Sequence, residues 1–326
     1  MNVLVIGLGS MGKRRIRLIS EMYPMYDLYG VDNRKDRREE VEKRFNIKTF
    51  QNIDDKYLKD NIDSAFVCTS PLSHNSIIKQ CLDNKWDVFT ELNLVSDGYD
   101  ENIKLADKNG CTLFLSSTFL YREEIKFIRK KIDDKHKWNY NYHIGQYLPD
   151  WHPWESFNDF FIGNKRTNGC REIMAIELPW LIKTFGDIES FNVISDKITD
   201  LNIDYNDNYI IQFIHKNGNK GSLNVDIVSP VAVRNMEIYT EHKYFCWNGT
   251  PKGLYQYDAE TKKIQRVILD EKEEHIDGYS DFITENAYKS EIREFMEVLE
   301  GKKKEIYSFK DDLKILNLID KLENKN

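Results

Sequence analysis

The chain has 326 residues, of which 40% are hydrophobic and 31% are charged, and its formal net charge is −7. This acidic balance leaves no basic footprint for nucleic acid, and no apolar run approaches the ~20 residues that a membrane-spanning helix needs. Five scattered cysteines without a C-x-x-C pair, and seven histidines without metal-ligand spacing, predict a reduced cytoplasmic protein with no bound metal. A strand pattern starts at residue 3, so we expect no signal peptide.

The first predicted elements are a strand, a glycine turn and a helix. The apolar run at 3–6 leads into GLGSMG at 7–12, and a helix-compatible stretch follows at 13–20. The pattern G-x-G-x-x-G between a strand and a helix is typical of a turn that holds a dinucleotide pyrophosphate, and a glycine turn without a ligand is the alternative. The residues of this turn that we expect to contact the cofactor are Gly7, Gly9, Ser10, Met11 and Gly12.

An acidic residue supports this interpretation of the turn. A second apolar segment at 28–31 ends in Asp32, at the distance of about 20 residues from the last glycine that the fingerprint requires. A carboxylate there accepts hydrogen bonds from the adenosine ribose and repels a 2′-phosphate, so we expect NAD in preference to NADP. Asn33 and Arg34 are expected to border the ribose. The basic residues at 34–38 either soften this preference or begin a solvated helix.

Strand and helix signals alternate up to about residue 120. Strands are predicted at 62–69, 86–90 and 112–116, and helices at 73–84 and 99–109. Gly110 occupies the expected position of a helix C-cap. This order is typical of the α/β class, and it predicts a Rossmann domain over 1–120 with a doubly wound parallel sheet of about six strands.

The pattern changes after residue 121. The predicted helices lie at 121–132, 172–185 with Pro179 inside it, 288–300 and 310–322. The predicted strands include 139–147, 208–215 and 220–227, and the last two form a hairpin around a turn at 216–219. Strands at such short intervals need antiparallel pairing, so we predict an α+β domain over 121–326.

The order of these motifs resembles the Gfo/Idh/MocA oxidoreductases, the family of glucose-fructose oxidoreductase and inositol dehydrogenase. Beyond the glycine turn and the acidic residue, the resemblance rests on a Cys-Thr-Ser-Pro segment at 68–71, a strand at 88–90 with an acidic residue after it, and a closing helix pattern from Glu291 to Asp311. It implies that further residues line the cofactor, with the first four along its nicotinamide half. These are Thr69, Ser70, Pro71, His74 and Glu91.

The resemblance also implies the arrangement and activity of the whole chain. The second domain would carry an open-faced, mostly antiparallel sheet that contributes to substrate binding and to a homo-oligomer, a dimer or a tetramer. The implied reaction is hydride transfer at a carbinol of a sugar or cyclitol. Arg122 matches a family arginine at the domain junction, where it either binds substrate or forms an inter-domain ion pair.

Two family motifs are incomplete in this chain. The Glu-Lys-Pro motif becomes Glu91-Leu92-Asn93, so the lysine that polarises the reacting oxygen is a leucine. The Asp-x-x-x-His motif aligns with residues 172–176, where Glu172 keeps a carboxylate and Ile176 replaces the histidine. Neither Leu92 nor Ile176 can transfer a proton. Proton transfer therefore falls to another group.

Four residues are candidates for that proton transfer, in falling order Glu172, His152, Glu177 and Tyr147. His152 lies in a Trp-His-Pro-Trp loop, which offers a titratable imidazole and two indole rings that can stack on a sugar. A packed aromatic loop and solvated surface charge are the alternatives. The residues predicted to contact substrate are Arg122, Trp151, Trp154 and Arg171.

These features predict an NAD-dependent oxidoreductase that acts on the CH–OH group of a sugar derivative. An amino or acidic sugar is favoured, free or nucleotide-activated, of the kind built into surface glycans. Two alternatives remain open. One is a dinucleotide-binding subunit or sensor without turnover, and the other is a lyase or epimerase that keeps NAD tightly bound as an internal redox relay.

Overall fold

A computed structural model describes residues 1–153, 155–269, 282 and 284–324. Trp154, one of the predicted substrate residues, lies outside the described residues. The chain divides into two compact units, Met1–Ser117 with Tyr288–Leu316, and Thr118–Ala287 with Asn317–Asn326. This division differs from the predicted one, because a segment near the C-terminus returns to the first unit.

A six-stranded parallel sheet forms the centre of the first unit. Its strands are β1 (Asn2–Ile6), β2 (Asp27–Val31), β3 (Lys48–Phe50), β4 (Ser64–Val67), β5 (Asp87–Thr90) and β6 (Leu113–Leu115). They lie in the order β3-β2-β1-β4-β5-β6, and all the pairs are parallel. The order reverses between β1 and β4, the switch point where ligands of such sheets bind. The predicted Rossmann sheet is therefore confirmed.

The helices connect these strands and close the chain. They are α1 (Ser10–Met22), α2 (Lys35–Phe45), α3 (Lys56–Asn61), α4 (Pro71–Asp83), α5 (Tyr99–Asn109), α6 (Glu123–Lys131), α7 (Gly169–Phe185), α8 (Glu285–Leu299) and α9 (Phe309–Glu323). Gly110 caps α5 in the left-handed conformation, as predicted. None of the helices seen in the described part of the chain has the length and apolar character that crossing a membrane requires.

The core of the first unit explains why α8 belongs to it. The rings of Phe66, Phe89 and Phe114 stack across three neighbouring strands, with centroid separations of 4.6 and 5.3 Å. Phe295 of α8 contacts all three rings, and Ile292 joins the same buried cluster. This contact joins residues that are far apart in sequence, so local periodicity gave no sign of it.

The second unit contains an eight-stranded sheet. Its strands are β7 (Asn139–Gly145), β8 (Ile188–Asp196), β9 (Asn208–His215), β10 (Lys220–Asp226), β11 (Val233–Tyr239), β12 (Tyr244–Trp247), β13 (Leu254–Asp258) and β14 (Lys263–Arg266). They lie in the order β14-β13-β12-β11-β7-β10-β9-β8, and β7–β10 is the parallel pair among them. A mostly antiparallel sheet is confirmed.

The two faces of this sheet differ. On the covered face, the ring of Tyr140 of β7 packs against that of Phe185 of α7 in a tilted arrangement with a centroid separation of 4.3 Å, and both side chains are buried. On the opposite face, Ile194, Ile210 and Ile214 of β8 and β9 are exposed. Alternation along the strands separates the two sets, since successive side chains of a strand point to opposite faces.

Two helices begin earlier than the sequence predicted, because a proline or a capping side chain precedes the predicted start. The predicted helix at 73–84 begins earlier, because Pro71 occupies the first helical position, which needs no N–H donor. The predicted helix at 172–185 begins at Gly169, because the side chain of Asn168 accepts a hydrogen bond from the Arg171 N–H at 2.8 Å. Pro179 lies within this helix and does not end it.

Candidate dinucleotide and proton-transfer sites

The glycine turn joins β1 to α1, and for steric reasons two of its positions favour or accept only glycine. Gly7 has a φ of 91°, a left-handed conformation that favours glycine. A Cβ on Gly12 would lie 1.9 Å from the carbonyl oxygen of Gly7, so only glycine fits. Gly9 precedes α1 without a side-chain cap, which leaves the first N–H groups of the helix for an anion. The turn therefore fits a pyrophosphate.

Asp32 is held firmly beside this turn. Its carboxylate accepts hydrogen bonds from the N–H of Leu8 at 2.8 Å and from the N–H of Arg34 at 2.9 Å. The Arg37 guanidinium lies 3.6 Å from the same carboxylate. Arg38 donates to the carbonyl of Asp32 at 2.7 Å. The geometry fits a ribose acceptor, and it retains the negative charge that disfavours a 2′-phosphate.

The segment after β4 is fixed by a buried histidine. His74 Nε2 lies 2.9 Å from the carbonyl oxygen of Thr69, and Nδ1 lies 2.6 Å from the side chain of Asn93. Burial lowers the pKa of His74, so the ring is neutral and donates through Nε2 to the carbonyl. Both ring nitrogens are engaged inside the unit, and His74 thereby positions the segment of Thr69, Ser70 and Pro71.

Glu91 follows β5 and forms an ion pair that sequence reasoning missed. Arg15 of α1 donates to it from Nε at 2.6 Å, and Nη2 of Arg15 donates to Glu291 of α8 at 2.7 Å. The burial of Arg15 follows from its place on the inner side of α1, one turn after the last glycine. Its approach to Glu291 had no local signal, because 276 residues separate the two.

In the second unit, Glu172 lies in the first turn of α7 and differs from the other carboxylates named above. Its Oε2 is buried and has no hydrogen-bond partner among the described residues. Burial raises the pKa of Glu172 to about 7. A carboxyl group that titrates near neutrality can both accept and return a proton.

Glu177, five residues further along α7, has a different environment. Its carboxylate accepts hydrogen bonds from the Tyr142 hydroxyl at 2.8 Å and from the Trp180 indole at 2.7 Å. Arg234 approaches its other oxygen at 2.8 Å, and Glu177 is fully buried. These partners make Glu177 part of an internal network.

The aromatic loop is packed against its own residues. His152 Nδ1 lies 2.7 Å from Glu155 Oε1, and the imidazole contacts the ring of Phe160 at 4.3 Å between centroids. The Trp151 indole donates to the carbonyl of Gln146 at 3.0 Å. Tyr147 is half-buried next to this segment. These contacts are those of a packed aromatic loop with a paired imidazole, and the roles of His152 and Trp151 in proton transfer and substrate binding stay predictions.

Both predicted substrate arginines have carboxylate partners within the second unit. Arg122 is buried, pairs with Glu124 at 3.2 Å and donates to the Gly249 carbonyl at 2.8 Å. Arg171 pairs with Asp320 at 2.7 Å and with Glu323. An anionic substrate would have to compete with these carboxylates. Within the described residues, no group of three or more histidine, cysteine or acidic side chains has the arrangement of a metal site.

Comparison with known proteins identifies the first unit. Residues 1–117 match the model of the Gfo/Idh/MocA oxidoreductase family with an NAD-binding Rossmann fold. By this match, residues 1–117 are similar to the NAD-binding domain of that family. The first unit is thus an NAD-binding domain, in agreement with the glycine turn and Asp32. A search of curated proteins finds no match to the chain.

Solved structures share the fold over the whole length of the chain. UDP-N-acetylglucosamine 3-dehydrogenase GnnA from Acidithiobacillus ferrooxidans is 13% identical, with a TM-score of 0.75 over 99% of this chain and 96% of that one. Levoglucosan dehydrogenase with NADH is 14% identical, with a TM-score of 0.81 over 99% and 95%. The WlbA dehydrogenase from Bordetella pertussis, in complex with NADH and UDP-GlcNAcA, is 14% identical, with a TM-score of 0.76 over 100% and 97%. At these identities the similarity concerns the fold.

Proposed function

We propose that the protein is an NAD-dependent oxidoreductase that acts on the CH–OH group of a sugar derivative, with Glu172 as the proton-transfer group. The observation that carries the proposal is a buried oxygen of Glu172 that has no hydrogen-bond partner in the described part of the chain, on a carboxyl group with a pKa raised to about 7. The family resemblance aligns this residue with a carboxylate of the Asp-x-x-x-His motif. Leu92 and Ile176 replace the other two proton-handling groups, which leaves Glu172 and Glu91 as the titratable groups of those motifs, and Glu91 is paired with Arg15.

The residues of the first unit fit the cofactor. The N–H groups at the start of α1 would hold the pyrophosphate, and Asp32 would hold the adenosine ribose. When bound, NAD supplies a hydride acceptor at its nicotinamide ring. In the oxidation of a carbinol, Glu172 accepts the hydroxyl proton while it is ionised. In the reverse direction it donates that proton to the carbonyl oxygen.

For the substrate we propose a nucleotide-activated amino or acidic sugar of the kind built into surface glycans. Two structures with the same fold support this class, since one is a UDP-N-acetylglucosamine dehydrogenase and another holds UDP-GlcNAcA. Trp151 offers an aromatic surface for a sugar ring. We also propose that the protein forms a homo-oligomer, which the exposed isoleucines on the open sheet face support. We propose that it is located in the cytoplasm, which the five free cysteines support.

The test is turnover with NAD and a panel of UDP-hexosamines and UDP-hexuronic acids, followed by nicotinamide absorbance. The Glu172→Gln variant keeps the shape of the side chain and removes its titration, so turnover should fall by about 100-fold or more, while the dissociation constant of NADH stays unchanged. Glu189 of β8 is an exposed glutamate of the same unit, and Glu189→Gln is the matched control. If Glu172→Gln turns over like the parent protein, Glu172 is not the proton-transfer group.

A second candidate function follows from the same two replacements. Because Leu92 and Ile176 remove the usual proton-handling groups, the chain could serve as a dinucleotide-binding protein or as an enzyme that keeps its NAD bound throughout a lyase or epimerase cycle. In that case NAD copurifies with the protein, and no net NADH forms with any sugar of the panel. The nicotinamide content of the purified protein, measured before and after turnover, separates the two functions.

A further inference from the structure

A small cavity lies in the first unit between α4, α5 and the segment that follows β5. It is lined by Asn75 of α4, Asn93 after β5 and Asn102 of α5, together with apolar side chains such as that of Ile78. The cavity has room for about one water molecule. It is thus a polar space of the size that a single small molecule fills.

Asn102 contributes an oxygen that lacks a donor. The residue is 1% exposed, and its side-chain NH2 group donates to Oδ1 of Asn75 at 3.0 Å and to the backbone carbonyl of Asn75 at 3.3 Å. Because a carbonyl only accepts hydrogen bonds, these contacts fix the orientation of the Asn102 amide. Its Oδ1 is buried and has no hydrogen-bond partner within the part of the chain that the structure describes. A buried acceptor of this kind requires a donor.

Asn93 contributes the second such atom. It is also 1% exposed, and its amide contacts His74 Nδ1 at 2.6 Å. Since Nε2 of the neutral His74 donates to the carbonyl of Thr69, Nδ1 accepts, and Asn93 turns its NH2 group to that nitrogen. The other end of the Asn93 amide, which is then the oxygen, is buried without a hydrogen-bond partner among the described residues. Tyr99 also lines the cavity, but its hydroxyl donates to Asp312, so it offers no proton to this oxygen.

We propose that the cavity binds one water molecule, which donates hydrogen bonds to the side-chain oxygens of Asn93 and Asn102. A water molecule has two O–H donors, so it satisfies both oxygens from a single position. With a protonated His74 the Asn93 amide would present its NH2 group instead, and the same water molecule would accept from it. The water site is independent of the proposed function. Its link to the cofactor rests on that function, because Asn93 holds the ring that positions residues 69–71.

A double-mutant cycle tests the bridge in solution. Asn93 and Asn102 form no hydrogen bond with each other in the described part of the chain, so Asn93→Leu and Asn102→Leu should act independently unless water joins them. With the bridge, the double variant should raise the unfolding equilibrium constant about fivefold less than the product of the two single effects. Ile78 lines the same cavity with apolar atoms, so Ile78→Val combined with Asn102→Leu is the matched control. Independent effects in the asparagine pair, or equal coupling in the control pair, overturn the inference.

Asn93→Leu should also weaken NADH binding about fivefold, because His74 loses the partner that holds its ring. Ile78→Val should leave this affinity unchanged. An unchanged dissociation constant in Asn93→Leu overturns the link between the water site and the cofactor. Failure of the parent protein to bind NADH overturns the proposed function instead.

A high-resolution crystal structure of the parent protein tests the site directly and needs no variant, so it serves if a leucine variant does not fold. Density for a water molecule is expected within about 3.2 Å of the side-chain amides of both Asn93 and Asn102. An empty cavity, or a cation in place of the water molecule, overturns the inference.

Discussion

The two compact units hold their charged side chains in different ways. In the first unit, Asp32 and Glu91 each follow a parallel strand, and the strand order brings these ends to one edge of the sheet. In the second unit, Glu172 and Glu177 lie on one helix. Glu172 has a buried oxygen without a hydrogen-bond partner among the residues that the structure describes, whereas Glu177 has three partners. Topology thus brings Asp32 and Glu91 to the edge where we propose the cofactor binds, whereas their different partners distinguish Glu172, the proposed proton-transfer group, from Glu177.

The largest effect is expected from a glycine of the first unit. In Gly12→Ala the new methyl group would collide with the Gly7 carbonyl and displace the turn, so NADH binding should weaken by about 100-fold or more. Gly110→Ala is the control, because Gly110 also has a positive φ, but apart from its chain neighbours no described atom lies within 4 Å of the position of its Cβ. Fluorescence titration measures both variants. Normal NADH binding by Gly12→Ala would show that the turn does not hold the phosphates.

The next effect concerns the pH dependence of turnover. Since the pKa of Glu172 is raised to about 7, kcat/KM for oxidation should rise with pH to a plateau, with a midpoint near 7. For reduction it should fall as pH rises through the same midpoint, because the protonated form is then required. Glu172→Gln should remove this titration from both profiles. Profiles that keep the midpoint in the variant would assign the titration to another group.

The third prediction sharpens the contrast between the two glutamates. Glu177→Gln leaves the mostly buried guanidinium of Arg234 beside a neutral partner, and loss of a buried charge partner costs up to about 3–5 kcal/mol. Glu172→Gln should instead stabilise the fold above pH 7. The unfolded chain releases the Glu172 proton near pH 4.5 and the folded chain near 7, so stability falls between these values. Denaturant unfolding at pH 5 and pH 8 measures the free energy of unfolding of both variants. Equal changes in the two variants would contradict the proposed difference between Glu172 and Glu177.

The smallest effect is expected at the adenosine end. Asp32→Ser removes the charge that repels a 2′-phosphate, so the affinity for NADPH relative to NADH should rise about tenfold. Asp36, which is exposed and pairs with Arg34, provides the control Asp36→Asn. Competition titrations give both ratios. If the NADPH/NADH affinity ratio changes equally in the two variants, the overall charge of the protein sets the cofactor preference, and the position of Asp32 does not.

Sequence alone predicted the first unit well, because its evidence is local. The glycine turn and Asp32 lie within one strand-helix-strand unit. The spacing of these residues is therefore enough to predict a tight turn for the pyrophosphate and a carboxylate for the ribose. The return of α8 and the contact of Arg15 with Glu291 are long-range, so periodicity could not show them.

The second unit was predicted less completely for a related reason. The sequence placed Glu172 and Glu177 on one helix, but the partners of Glu177 come from β7 and β11. The carboxylates that hold Arg171 lie about 150 residues further along the chain, so its pairing was equally hidden. Residue type alone therefore gave a set of candidates, and only tertiary contacts show how the environments of these side chains differ.

The most direct test of the central claim is a titration of the purified protein with NADH and with NADPH, after any copurified nicotinamide has been measured. We expect NADH to bind more tightly than NADPH, as the glycine turn and the charge of Asp32 require. Binding of neither cofactor, with none present in the purified protein, would contradict the account.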